Sequence, residues 1–273
     1  MSKSKRLVLI LGDQLDRKNA ALKDFDPQHD EVIMIESIPE AQVVWSHKAK
    51  IALFLSAMRH FAQALKAEGY AVHYIEGSNL PIVDTLQEVL RQKGIQHLVC
   101  IEPGEWRLKL AIEKLAKDSK VQLDMREDSH FYCSHREFRE WAANKKELRL
   151  EFFYRLMRKT HNILLDKDGN PEGGQWNFDQ DNRKPYPKSG PGIIEMPVLF
   201  EPDAITREVL AFVQENYPKH PGSLEHFRWP VTRDQALEAL QYFVDYRLRN
   251  FGVYQDAMWT DTPYGWHSIL SSS

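Results

Sequence analysis

The first 128 residues alternate short runs rich in leucine and β-branched residues with longer amphipathic segments, and this alternation restricts the possible folds more than any other feature. Strand patterns occupy 6–11, 31–36, 70–75, 97–101 and 121–125, and helical patterns occupy 46–69, 81–93 and 105–118. Parallel strands joined through helices make right-handed crossovers, and the resulting sheet is covered on both faces. The sequence therefore predicts a doubly wound α/β domain with a five-stranded parallel sheet.

Beyond residue 128 the strand patterns disappear. Residues 179–202 are rich in Pro, Gly, Asp and Lys, which is typical of an exposed connector. Helical patterns lie at 134–145, 150–165, 204–217 and from an N-cap at Thr232 to about Asn250. We therefore expect three regions, which are an α/β domain at 1–128, a helical segment with an interdomain connector at 129–202, and the beginning of a helical domain at 203–273.

Composition and charge restrict the classes of function. The chain has 273 residues, a formal net charge of −3 and two cysteines, Cys100 and Cys133. This charge gives no global argument for nucleic-acid binding, although one basic face is sufficient for phosphate contacts. Two cysteines argue against a disulfide framework and cannot supply the four ligands of an iron–sulfur cluster. No apolar stretch reaches membrane-spanning length, so we expect a cytoplasmic protein with no membrane partner and no metal site of its own.

A candidate ligand site follows the first predicted strand, where Gly12, Asp13 and Gln14 occur in succession. Doubly wound sheets bind ligands beyond the carboxyl ends of their strands, near the point where the strand order reverses. Glycine lets the backbone approach a ligand, and the next two side chains can hydrogen-bond a heterocycle or a ribityl hydroxyl. The alternative is that Asp13 caps the following turn. No dinucleotide-binding glycine motif and no P-loop lysine signature is present.

Glu40 follows the second predicted strand, and we expect it at the same end of the sheet as Asp13. An ordinary solvated glutamate is the alternative.

Residues 136–159 interleave basic and aromatic side chains, which suits a phosphate-contacting surface or the charged outer face of a helix pair. Trp176 lies in a Gly-rich block and is expected to anchor the connector. Hydroxyls and backbone amides at 267–271 suit a pyrophosphate, but this signal is weak alone.

Several of these blocks together resemble one family. They are 10–15 (ILGDQL), 56–61 (SAMRHF), 102–107 (EPGEWR), 176–179 (WNFD) with Asn182 and Arg183, and 251–258, which contains FG and QDAM. Their order and content resemble the deoxyribodipyrimidine photolyase-related proteins, the bacterial (6-4) photolyases and cryptochromes of the iron–sulfur group. The resemblance extends over nearly the whole chain.

The resemblance implies an antenna domain at 1–128 and the start of an FAD-binding domain at 203–273. It implies that a ribityllumazine-type antenna chromophore is lined by Gly12, Asp13, Gln14, Glu40 and Phe54. It implies FAD-phosphate binding by His267, Ser268, Ile269, Leu270 and Ser271. Family members continue beyond this point, with the rest of the FAD pocket and the cysteines of a 4Fe-4S cluster. We therefore expect no catalytic residue in this chain and no activity of the chain alone.

The family implies a light-dependent flavoprotein for DNA repair. In the complete protein, photoexcited reduced FAD would transfer an electron to a UV-induced pyrimidine (6-4) lesion in damaged DNA. One alternative is a cryptochrome-like blue-light sensor with the same cofactors. A further alternative is a chromophore- or nucleotide-binding module without catalysis.

Overall fold

The protein was analysed as a computed structural model, which describes residues 5–262 and 264–268. Five parallel strands form one sheet in the order β3-β2-β1-β4-β5. The strands are β1 (Arg6–Leu9), β2 (Glu31–Ser37), β3 (Val72–Ser78), β4 (His97–Ile101) and β5 (Gln122–Arg126). The predicted fold class is confirmed. The chain moves outward from β1 to β3 and returns beside β1 with β4, so the strand order reverses between β1 and β4.

Helices cover both faces of this sheet. The helices before residue 128 are α1 (Glu40–Val43), α2 (Lys48–Ala67), α3 (Ile82–Lys93) and α4 (Trp106–Asp118). Those after it are α5 (His135–Ala142), α6 (Leu150–His161), α7 (Ala204–Asn216), α8 (Arg233–Tyr246) and α9 (Leu248–Tyr254). No helix in the described ranges is long and apolar enough to span a bilayer.

Alternation along the strands divides the core into two layers. Val8 and Ile10 of the first strand region pack with α2 on one face, whereas Leu7, Leu9 and Leu11 pack with α3 and α4 on the other. All five of these side chains are buried, as expected for central strands with helices on both sides. The continuous apolar run that predicted β1 is thus explained by burial on both faces.

The ends of the helices follow local chemistry. His47 caps α2, because its Nδ1 accepts a hydrogen bond from the backbone N–H of Ala49 at 3.1 Å. Gly69 follows the end of α2 with φ of 90°, and Gly94 ends α3 with φ of 61°. Both values lie in the left-handed region, where glycine carries no Cβ penalty.

The described residues form two compact units. The first contains residues 5–128 together with 198–240, and the second contains 129–197 together with 241–268. Within the first unit α7 packs on α2, and Val209, Val213 and Tyr217 belong to the same buried cluster as Val8. The predicted domain boundaries stay a prediction, but residues 198–240 share a core with the sheet.

The second unit contains an aromatic cluster and a buried arginine. Phe138, Trp141 and Phe153 form the cluster, with ring centroids 4.9–5.6 Å apart. One continuous helix from Thr232 to about Asn250 was expected, whereas the structure has two helices that meet at Arg247.

The interruption has a physical cause. Arg247 is 1% exposed, and its guanidinium donates hydrogen bonds to the backbone carbonyls of Glu195, Gly265 and His267. Its backbone departs from helical geometry, with φ of −121°. The three carbonyl acceptors offset the cost of burying the guanidinium, while the Arg247 N–H still donates to the Phe243 carbonyl at 2.9 Å.

Candidate ligand-binding cavity

A cavity of about 390 Å³ lies at the carboxyl end of the sheet within the first unit. It is located where the strand order reverses, beside the segments that follow β1 and β4, as a doubly wound sheet predicts. The apolar wall comes mainly from α2. The lining includes Leu11, Gly12, Asp13, Ile35, Glu36, Ser37, Glu40, Lys50, Ile51, Phe54, Leu55, Met58, Ile82, Pro103, Gly104, Glu105, Leu108 and Tyr217.

Four of the five predicted antenna residues line this cavity, namely Gly12, Asp13, Glu40 and Phe54. Gln14 is buried and is absent from the lining. Its Oε1 accepts a hydrogen bond from the Leu11 N–H, and its Nε2 donates one to the Glu102 carbonyl, both at 3.4 Å. Gln14 therefore joins the loop after β1 to the loop after β4, and a ligand-binding role for it stays a prediction.

Gly12 lies close to α2. A Cβ at this position would come within 2.9 Å of Met58 Sδ and 3.4 Å of a Phe54 ring carbon. The close approach of the strand end to α2 thus accounts for glycine here, independently of any ligand. A larger residue would displace the two side chains that form the apolar wall of the cavity.

Asp13 lines the cavity as an exposed residue whose carboxylate is partly desolvated. Burial raises its pKa above the usual value of 3.8, and the charges of Asp128 and Glu105 raise it further. The one hydrogen bond found for its carboxylate among the described residues is to its own backbone. This arrangement does not support the capping alternative. It leaves Asp13 available to a ligand that carries a hydrogen-bond donor.

Glu40 is the first residue of α1 and forms an ion pair with Arg107 of α4. Arg107 Nε also donates to Glu105 Oε1 at 2.7 Å. The hydrogen bonds that Arg107 donates, first to Glu105 and then to Glu40, raise the pKa of its guanidinium. Glu40 and Glu105 are therefore both paired with the Arg107 guanidinium.

Glu36 lines the cavity but was not predicted as a site residue. Glu36 is 2% exposed, and its carboxylate accepts two hydrogen bonds from Arg59, at 2.7 and 2.9 Å, and one from Tyr74 at 2.5 Å. This network joins α2, β2 and β3 beside the cavity. A glutamate at the end of an apolar strand was the available signal, because a buried carboxylate requires a partner.

Three further predicted residues, Trp176, His267 and Ser268, lie in the second unit. Trp176 is surrounded by the cationic groups of Arg155, Arg158 and Lys159, 5.0–5.6 Å from its ring centroid, which fits the anchoring interpretation. The His267 ring contacts Phe251 edge-on at 5.8 Å. Ser268 is described, whereas Ile269, Leu270 and Ser271 lie outside the described residues.

The described residues contain no cluster of three or more histidine, cysteine or acidic side chains arranged for a metal ion. Cys100 is buried in β4, and burial raises the pKa of its thiol to about 12. Such a thiol is an inert core group rather than a nucleophile.

The sheet topology places the chain in the doubly wound α/β class, with a cavity at the carboxyl end of the sheet. Residues 8–229 match the family described as deoxyribodipyrimidine photo-lyase-related protein, so the chain belongs to this family. It is 42% identical over 273 residues to a (6-4) photolyase of Agrobacterium fabrum. The match covers 97% of this chain and 53% of that relative, so the chain spans about half the relative's length.

Proposed function

We propose that the protein acts in light-dependent DNA repair of the (6-4) photolyase type, and that its cavity binds a ribityllumazine-type antenna chromophore. Family membership and the similarity to a (6-4) photolyase support the repair activity. The observation that carries the antenna assignment is the convergence of Gly12, Asp13, Glu40 and Phe54 on one cavity.

The cavity fits an aromatic heterocycle. Its volume of about 390 Å³ falls within the range of small-molecule sites, which are mostly apolar with a few polar groups. Phe54, Leu55 and Met58 provide one apolar wall, and Asp13 offers a partly desolvated acceptor.

The repair chemistry depends on FAD, which supplies the electron after light absorption. The residues of this chain proposed to bind the FAD phosphates are His267, Ser268, Ile269, Leu270 and Ser271. Of these, His267 and Ser268 lie among the described residues. The Arg247 guanidinium holds the His267 carbonyl at 3.1 Å, which orients the backbone that leads into this segment. A 4Fe-4S cluster is proposed only for sequence that this chain does not contain.

DNA binding is proposed for the basic helical part of the second unit. Arg149 and Arg155 pair with Glu147 and Glu151, so the net positive surface of α6 is smaller than its sequence suggests. Affinity for damaged duplex should fall steeply as salt rises, since each phosphate contact releases counterions. Affinity that is independent of salt between 50 and 200 mM (roughly the range where such effects are large) would contradict this proposal.

Titration of the chain with a ribityllumazine, followed by its fluorescence, tests the antenna assignment. Asp13→Ala should weaken binding by about 1–3 kcal/mol because a buried hydrogen bond is lost. The matched control is Asp118→Ala, which removes an exposed aspartate at the end of α4. Equal affinities of the two variants would remove Asp13 from the site, and an absence of binding by the unsubstituted chain would reject the antenna assignment.

A further inference from the structure

Tyr217 reaches the cavity from a part of the chain distant in sequence from the strand ends. It directly follows α7, is 2% exposed and belongs to the lining of the cavity. Among the described residues its hydroxyl has no hydrogen-bond partner, and the ring contacts of Tyr217 are with Phe212 and His220. The hydroxyl is not among the fully buried unpaired atoms although the residue is 2% exposed, so it is accessible from the cavity that Tyr217 lines, and a ligand there can supply its partner.

Other polar side chains of the lining already have partners. These are Glu36 with Arg59 and Tyr74, Ser37 with the Leu80 carbonyl, Glu40 with Arg107, and Ser46 with the Val44 carbonyl. Lys50 and Tyr217 have no hydrogen bond or ion pair among the described residues, and Asp13 has only the hydrogen bond to its own backbone. The cavity therefore offers an acceptor at Asp13, a cation at Lys50 and a neutral hydroxyl at Tyr217.

The position of Tyr217 is fixed by its surroundings. Its N–H donates to the Val213 carbonyl at 3.0 Å, and His220 Nδ1 lies 2.9 Å from the Ser46 carbonyl. The loop continues to Gly222, whose φ is 92° and where a Cβ would overlap the ring of His47 at 1.9 Å. The segment 217–222 is thus locked against the start of α2, and the hydroxyl is preorganised for binding.

We propose that the Tyr217 hydroxyl donates a hydrogen bond to a carbonyl oxygen or ring nitrogen of a heteroaromatic ligand in this cavity, and selects ligands that present such an acceptor. This inference rests on the proposed antenna function and assigns it a recognition residue outside the 1–128 region. Burial, with the nearby Glu36 carboxylate, raises the pKa of Tyr217 to about 12, so the hydroxyl keeps its proton at neutral pH. Asp13 complements it by accepting from a ligand N–H.

The test compares Tyr217→Phe with the unsubstituted chain and with Tyr70→Phe. Phenylalanine keeps the packing of the ring and removes only the hydroxyl. Tyr70 contacts the same core but does not line the cavity, so its variant controls for the loss of a tyrosine hydroxyl. The measurements are fluorescence titration with a ribityllumazine, the visible absorption maximum of the bound ligand, and circular dichroism as a check of folding.

Tyr217→Phe should weaken binding about 2- to 12-fold, which corresponds to the net contribution of one neutral hydrogen bond. The absorption maximum of the bound ligand should also shift, because the ligand loses a donor at its carbonyl or ring nitrogen. Tyr70→Phe should change neither quantity. Unchanged affinity and spectrum in Tyr217→Phe would overturn this inference while leaving the antenna function intact. Failure of the unsubstituted chain to bind the probe would overturn both.

Discussion

Asp13 illustrates at the residue scale how a binding group reduces stability. Its folded-state pKa is raised, so the folded protein binds more protons than the unfolded chain between the usual value of 3.8 and the raised value. Stability therefore falls as pH rises through this window and stays lower above it. Such a residue is understandable if the carboxylate is retained for a ligand rather than for the fold.

Asp13→Asn should accordingly stabilise the protein at pH 7, because a neutral amide avoids the desolvation of the charge. The gain should shrink as pH falls and disappear below 3.8, where the carboxyl is protonated in both states. Urea denaturation of both proteins at pH 3, 5 and 7 (values chosen to bracket, roughly, the window in which a carboxyl titrates) measures this. A gain that does not depend on pH would rule out the electrostatic cause.

At the scale of elements, the Arg59–Glu36–Tyr74 network holds α2 against β2 and β3. Arg59 also lies 3.5 Å from the Glu76 carboxylate of β3 and 5.7 Å from the Phe212 ring of α7, so the guanidinium of this α2 residue contacts three other elements. Replacing Arg59 with Met should cost about 3–5 kcal/mol, because it leaves the Glu36 carboxylate buried without its cation. The free energy of unfolding in urea measures the loss.

Two further variants show whether the loss of stability in Arg59→Met comes from the buried charge. Lys114→Met removes an exposed cation that pairs with Asp118 four residues later on α4, and it should cost about 0.5 kcal/mol or less. The double variant Arg59→Met with Glu36→Leu should recover much of the loss, since no buried charge remains. A cost for Arg59→Met as small as that for Lys114→Met would show that the network contributes little.

The strands were predictable because each is a short run rich in apolar residues, and β1, β2 and β4 are mostly buried. The strand β4 was predicted with its observed bounds. The shared location of Asp13 and Glu40 was predictable because parallel strands place their carboxyl ends at one edge. Tyr217 was missed because only tertiary packing of α7 on α2 brings it to the cavity. The break at Arg247 was missed because the apolar stripe continues through it, and its carbonyl partners lie far away in sequence.

At the scale of the whole molecule, residues 198–240 complete the core of the sheet-containing unit. Val209, Val213 and Phe227 are buried in the cluster that includes α2. A chain ending at residue 128 should therefore expose this face of α2, unfold at lower temperature and bind a hydrophobic dye. Thermal unfolding and dye fluorescence, compared with the intact chain, measure the effect.

A control restores the missing contacts. It joins residues 1–128 to 198–240 through a long Gly/Ser linker, and it should recover cooperative unfolding without the helices of the second unit. If the chain ending at 128 unfolds at the same temperature as the intact protein, the contribution of α7 to the core is negligible.

The Arg247 junction also has a consequence for how the chain folds during synthesis. Its guanidinium donates hydrogen bonds to the backbone carbonyls of Glu195, Gly265 and His267. The two acceptors on its C-terminal side therefore leave the ribosome about 20 residues after Arg247 does. Until then the guanidinium remains hydrated, because burying it without acceptors is strongly unfavourable. The second unit therefore closes late, after the sheet and α7 have been made, and a nascent chain paused between residues 250 and 265 carries a solvated arginine where the finished protein has a buried one.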